Sequence, residues 1–146
     1  MEVQEIMTKD VISVSPTMPV KDALDLLLRH RIHGAPVVDG SGRLLGMVSF
    51  VDLAARNGAT VQDIMVTDPV WAPADASIKK VAALMLDQMA RRVPIVAAGR
   101  VVGVVSASDI IELFLGLHEE VESPQARRDA PEMAPTSPPE VDRPSR

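Results

Sequence analysis

The sequence predicts an α/β (α+β) fold: two β-α-β-β-α units packed about a pseudo-twofold axis, followed by a disordered C-terminal tail. Three observations carry this prediction. The chain repeats itself, since Val3-Gln4-Glu5-Ile6-Met7 returns 58 residues on as Val61-Gln62-Asp63-Ile64-Met65. Each copy alternates short extended apolar runs with one stretch of helical periodicity. The 146-residue chain is also 47% apolar. That is enough for an interior shared by two units, each too small to be comfortable alone.

Each unit opens on a short extended stretch, Val11-Ile12-Ser13-Val14 in the first and Val70-Trp71-Ala72 in the second. A helix follows. Thr17 and Asp75 stand at equivalent positions and are good N-cap residues. Pro19 falls in the first turn, where a missing N–H costs nothing. Val20, Ala23, Leu24, Leu27 and Leu28 then recur at helical spacing, as do Ile78, Val81, Ala82, Met85 and Leu86.

A β-hairpin comes next. Pro36-Val37-Val38 and 44–48 flank one turn, and Pro94-Ile95-Val96 and 101–105 flank the other. The runs 44–48 and 101–105 read as buried on both faces. The turn Asp39-Gly40-Ser41-Gly42-Arg43 is one residue longer than its counterpart Ala97-Ala98-Gly99-Arg100, a change that a surface turn tolerates. A closing helix runs from Asp52 toward Arg56, and from Asp109 toward Leu117. Met7, Met65, Met85 and Met89 read as core filler.

Composition excludes several classes. Aromatics are 2% of the chain, so aliphatic side chains must fill the core. A net charge of −5 argues against nucleic acid as a partner. No apolar run is long enough to span a membrane, and the acidic N-terminus lacks the marks of a signal peptide. The absence of cysteine fits a cytoplasmic protein and removes disulfides and thiolate sites. The inventory for catalysis is thin. Three histidines, His30, His33 and His118, form no metal-ligand spacing, and no nucleophile elbow or Walker loop occurs. No metal, required cofactor or enzymatic activity is expected.

One motif remains, and it is doubled. Gly46-Met47-Val48-Ser49-Phe50-Val51-Asp52-Leu53 answers to Gly103-Val104-Val105-Ser106-Ala107-Ser108-Asp109-Ile110. Each is an apolar strand running into Ser-x-x-Asp, the signature of a helix N-terminus. Unpaired N–H groups and the helix dipole suit phosphate there, and the Asp can accept from a sugar diol. Most such boxes only start helices, so the motif alone leaves both readings open.

The full set of motifs resembles a tandem of cystathionine β-synthase (CBS) domains, often called a Bateman module. The resemblance rests on Ile6-Met7-Thr8, Ala35-Pro36-Val37-Val38 and the 46–53 motif. In the second unit it rests on Asp63-Ile64-Met65, Val93-Pro94-Ile95-Val96 and the 103–110 motif. It covers residues 3–117. It places CBS domain 1 at 1–58, CBS domain 2 at 59–117 and a Pro-rich acidic tail at 118–146, where six of the twelve prolines lie.

The resemblance also implies a function. The expected role is a stand-alone regulatory module that binds adenosine-containing ligands between the two units and signals their level to an effector protein in trans. The ligand would be AMP, ADP or ATP, with NAD or S-adenosylmethionine as further members of that class, acting as a regulatory ligand and not as a required cofactor. Carried over by position, one cleft would use Ser106, Ser108 and Asp109 with Arg91 and Arg92, approached by Thr8, Ile12, Ile32 and His33. The second would use Ser49 and Asp52 with His33, approached by Val70, Ala90 and Arg91. The first cleft should bind phosphate better, since Gly34 stands where the second unit has Arg92. A homodimer through helices 20–31 and 78–89 and those after Asp52 and Asp109 is also implied. The alternative is a structural dimerisation module with vestigial clefts.

Overall fold

A computed structural model describes residues 1–119. Residues Met1–Ile111 form one compact unit, and a second begins at Glu112. The predicted β-α-β-β-α order is present in the second repeat, whereas the first keeps the α-β-β-α part and its opening stretch forms no strand. In the first repeat come α1 (Val20–His30), β1 (Gly34–Val38), β2 (Leu44–Ser49) and α2 (Phe50–Ala55). In the second come β3 (Val66–Thr67), β4 (Ala72–Pro73), α3 (Ile78–Gln88), β5 (Arg92–Ala97), β6 (Arg100–Ser106) and α4 (Ala107–Glu119). Apart from His118 and Glu119, which continue α4, the expected tail lies outside the described residues.

The two repeats are joined by exchange of their opening segments. One sheet has the order β1-β2-β3 and the other β4-β5-β6. Strand β3 belongs to the second repeat in sequence yet pairs with β2 of the first, Met47 opposite Val66. The reciprocal contact is Thr8 opposite Val104, closed by Thr8 N–H to the Val104 carbonyl at 2.9 Å and the reverse bond at 3.1 Å. Glu2 opposite Ser77 and Pro19 opposite Thr60 repeat the same relation. These pairs interchange under the repeat offset, as a pseudo-twofold axis requires.

The interior follows the exchange. One core holds Leu27, Val37, Val48 and Leu53 of the first repeat with Val61 and Ile64 of the second. The other holds Val81, Val93, Ile95 and Val105 with Val3 from the chain start. Burying apolar side chains of this kind contributes about 1.5–3 kcal/mol each, so each half depends on the other's opening segment.

Glycine makes the exchange possible. A Cβ on Gly103 would collide with the Met7 side chain, and one on Gly46 would stand 2.6 Å from the Val66 carbonyl oxygen. The repeated Met and the repeated strand glycine are therefore partners across the repeats. The two hairpin turns differ as their lengths suggest. The shorter places Ala98 and Gly99 at φ 53 and 77, the positive pair that suits a two-residue hairpin. In the longer, the Asp39 carboxylate accepts from Arg43 N–H at 3.0 Å and Ser41 N–H at 2.8 Å, which lowers its pKa.

Several local expectations are corrected. The caps expected at Thr17 and Asp75 lie elsewhere. Pro19 occupies the N-cap position of α1 without a side-chain bond, while Ser77 caps α3 by accepting from Lys80 N–H at 3.0 Å. Thr17 sits in a turn closed by Met18 N–H to the Ser15 carbonyl at 3.2 Å, two residues too early to cap. The extended stretch at 11–14 pairs only at Val14, opposite Val37. Strands 44–48 and 101–105 are not buried on both faces, because only Gly46, Val48, Gly103 and Val105 are fully buried there. Met85 is in the second core and Met7 packs on it, Met65 packs on the first core, but Met89 is 89% exposed.

Candidate functional site

Local hydrogen bonding sets the Ser-x-x-Asp helix starts beside the stretch that precedes each hairpin proline. In the second repeat Ala107 N–H donates to the Arg91 carbonyl at 2.8 Å. In the first, Phe50 N–H donates to the His33 carbonyl at 2.7 Å. Each bond fastens a helix N-terminus to a strand start that carries basic or imidazole side chains.

The two starts differ in their caps. Asp109 N–H donates to Ser106 Oγ at 3.1 Å and Ser106 N–H donates to Asp109 Oδ2 at 2.8 Å, a complete reciprocal box. At the other start, Asp52 N–H donates to Ser49 Oγ at 3.0 Å. One Asp109 oxygen is thus engaged by the cap, and the second makes no hydrogen bond among the described residues.

A cleft of about 550 Å³ opens over the Asp109 start. It is lined by Ser106, Ser108 and Asp109, by Arg91 and Arg92, and by Thr8, Ile12, Ile32 and His33. All nine residues expected in the first cleft therefore face one cavity. The Thr8–Val104 pairing explains how the first repeat reaches it. Of the residues expected only in the second cleft, none lines this cavity. Ser49 and Asp52 form the α2 cap, while Val70 and Ala90 are half-buried against the second core. His33 and Arg91, expected in both clefts, face the cavity described here.

The lining also contains residues that the sequence reading did not select: Asp10, Val11, Arg31, Gly34, Pro36, Val104, Ala107 and Ile111. Arg31 was detectable, since it stands in the same pre-proline stretch as His33. Gly34 has a specific part. A Cβ there would lie 3.2 Å from Arg92 Nη1 and 2.9 Å from the Val48 carbonyl oxygen. The missing side chain of Gly34 is the seat of the Arg92 guanidinium. Gly34 and Arg92 are equivalent in the two repeats, so the space between them admits one long side chain.

The cations here lack carboxylate partners. Among the described residues the only ion pair is Arg29 with Asp25, at 3.2 Å on α1. Arg92 is half-buried, and burial, with the like charge of Arg91 second, lowers its pKa from the ordinary value. A half-buried guanidinium beside another is stabilised by an anion. No group of three or more His, Cys, Asp or Glu among the described residues is placed to hold a metal ion. No described helix is long and apolar enough to cross a membrane.

Comparison with known proteins adds the following. The CBS domain family model matches residues 3–57 and again 61–116. The chain is 33% identical over 115 residues to the CBS domain-containing protein YhcV of Bacillus subtilis, covering 74% of this chain and 81% of that protein. It is 34% identical over 128 residues to an inosine-5'-monophosphate dehydrogenase of Methanocaldococcus jannaschii. That match covers 86% of this chain but 24% of the dehydrogenase, so the chain spans about a quarter of that relative's length. Two solved structures are similar in fold and sequence. The CBS domain pair of protein MJ0100, in complex with 5'-methylthioadenosine and S-adenosyl-L-methionine, superposes with a TM-score of 0.75 at 32% identity, over 80% of this chain and 98% of that one. CBSX2, in complex with AMP, gives 0.76 at 29% identity, over the same shares of 80% and 98%; that protein comes from Arabidopsis thaliana.

Proposed function

We propose a function from the premise that this chain belongs to the CBS domain family, a membership carried by both of its repeats. The protein is a regulatory module that takes an adenosine-containing ligand in the Asp109 cleft and passes its occupancy to a partner protein in trans. The observation that carries this reading is the convergence, in one cavity, of the Ser106–Asp109 helix start with Arg91 and Arg92. The second Asp109 oxygen accepts from ribose hydroxyls. The guanidiniums hold phosphate through forked donors. Ile12 and Ile32 offer the apolar surface that a purine ring needs. The complexes of MJ0100 and CBSX2 with adenosyl compounds support the choice of ligand class.

Thermal melting with AMP, ADP, ATP, NAD and S-adenosylmethionine tests it. A ligand at about 100 times its Kd stabilises the folded state by about 2.7 kcal/mol, which a melting shift reports. A panel without any shift contradicts the reading and leaves the protein as an interaction module.

The same reading takes the protein as a homodimer. Leu28 of α1, Val51 of α2, Leu86 of α3 and Met89 just after it are 56%, 69%, 83% and 89% exposed. Where such side chains share one face, they form the apolar patch that a contact surface needs. Sedimentation at concentrations on the order of tens of micromolar is expected to give a dimer. A monomer there contradicts the assignment.

A further inference from the structure

We infer that the Asp109 cleft is built for two or more linked phosphates, and that Arg31 selects them over a single phosphate. The inference rests on the adenosine reading above and narrows its ligand class. Arg31, Arg91 and Arg92 line the same cavity, and none makes an ion pair among the described residues. A phosphate monoester carries a charge of about −1.5 to −2 near neutral pH. Arg91 and Arg92 together match it. The third guanidinium is then surplus, and a further phosphate is what it would hold.

The carboxylates of the lining form no ion pair with these guanidiniums. Asp10 and Asp109 lie beyond ion-pair distance of every guanidinium, and Asp109 is occupied through one oxygen by Ser106 N–H. Arg31 also reaches the cavity from the first repeat, while Arg91 and Arg92 come from the second. A phosphate chain held by all three spans the two repeats. The cavity, about 550 Å³, lies within the ordinary range of small-molecule sites and does not restrict the ligand to a nucleoside.

The backbone at Arg31 makes its identity informative. Arg31 ends α1 in the left-handed region at φ 55 and ψ 44. Met89, its equivalent after α3, does the same at φ 55 and ψ 38. The turn is therefore a property of the repeat and does not ask for arginine. Glycine is the residue that this position favours. The guanidinium sets Arg31 apart from Met89, and Arg31 is an exposed residue of the cleft lining.

This gives a clean variant. Arg31→Gly removes the cation while suiting the left-handed cap, so it should melt no lower than the unaltered protein. Calorimetry with adenosine, AMP, ADP, ATP and inorganic tripolyphosphate, in magnesium-free buffer, reads the result. ADP and ATP are expected to bind the unaltered protein about tenfold or more tighter than AMP. Arg31→Gly should bring ADP and ATP to the level of AMP, with AMP and adenosine changed by less than about twofold. Arg31→Lys keeps the charge but loses the fork, and should restore part of the preference.

AMP binding as tightly as ATP to the unaltered protein overturns the inference. So does equal weakening of all four nucleoside ligands in Arg31→Gly. Tripolyphosphate separates this inference from the reading beneath it. Arg31-dependent tripolyphosphate binding, with adenosine and AMP unbound, supports the phosphate site and removes the adenosine function. Binding of adenosine and AMP, with no gain for ATP and none for tripolyphosphate, does the reverse.

Discussion

Asp109→Ala is expected to lose about tenfold to a hundredfold in affinity for an adenosine nucleotide, while Asp52→Ala stays within about threefold of the unaltered protein. The size follows from hydrogen bonds to a charged acceptor, worth about 1.5–3 kcal/mol, at about 1.4 kcal/mol per tenfold. The direction follows from the site. Asp109 lines the cleft with Arg91 and Arg92, and Asp52 does not. Asp109 also closes its own helix cap through Ser106 N–H. Its loss therefore costs about 0.5–2 kcal/mol of stability as well. Asp109→Asn separates the two effects, because its amide oxygen keeps the cap bond and its charge is gone. Asp109→Asn should melt nearly as the unaltered protein does and still bind weakly by calorimetry. Full affinity in Asp109→Ala would remove Asp109 from the site.

Gly46→Ala is expected to destabilise the fold by about 1–3 kcal/mol, the range for overfilling a well-packed interior. That is a large part of a typical 5–15 kcal/mol. The added Cβ would meet the Val66 carbonyl oxygen at 2.6 Å and Met65 Sδ at 2.9 Å. Rotating a side chain cannot relieve the first contact, since it is backbone, so β3 must move from β2. Gly40→Ala is the control, with nothing within 4 Å of its Cβ, and should change stability by less than about 0.5 kcal/mol. Urea denaturation reads both. If Gly46→Ala is as stable as Gly40→Ala, β3 does not pair where it is described.

Much of this was legible from particular residues. The return of Val3-Gln4-Glu5-Ile6-Met7 at Val61 announced two units, and the Pro36 and Pro94 runs placed the hairpins. Ser106 and Asp109 declared a helix start by spacing alone, and the reciprocal bonds are there. What stayed hidden depends on partners far apart in sequence. A strand of two residues, Val66–Thr67, has no period to detect, and its partner β2 lies in the other repeat. Gly34 looked like a lost cation when compared with Arg92. The structure makes it the space into which Arg92 fits. Val70 and Ala90, carried over by the resemblance to a second cleft, pack against the second core and lie outside the Asp109 cavity. Arg31 stands in the same pre-proline stretch as His33, and the geometry brings it into the cleft lining.

The proposed adenosine-binding function rests on the cleft, and calorimetric titration of the unaltered protein tests it most directly. With ATP, ADP, AMP and adenosine in turn, the account predicts saturable binding with one ligand per chain at the tight site. It also predicts that this heat is lost in Asp109→Ala and kept in Asp52→Ala. No heat from any adenosine compound, or binding lost in Asp52→Ala and kept in Asp109→Ala, would contradict it.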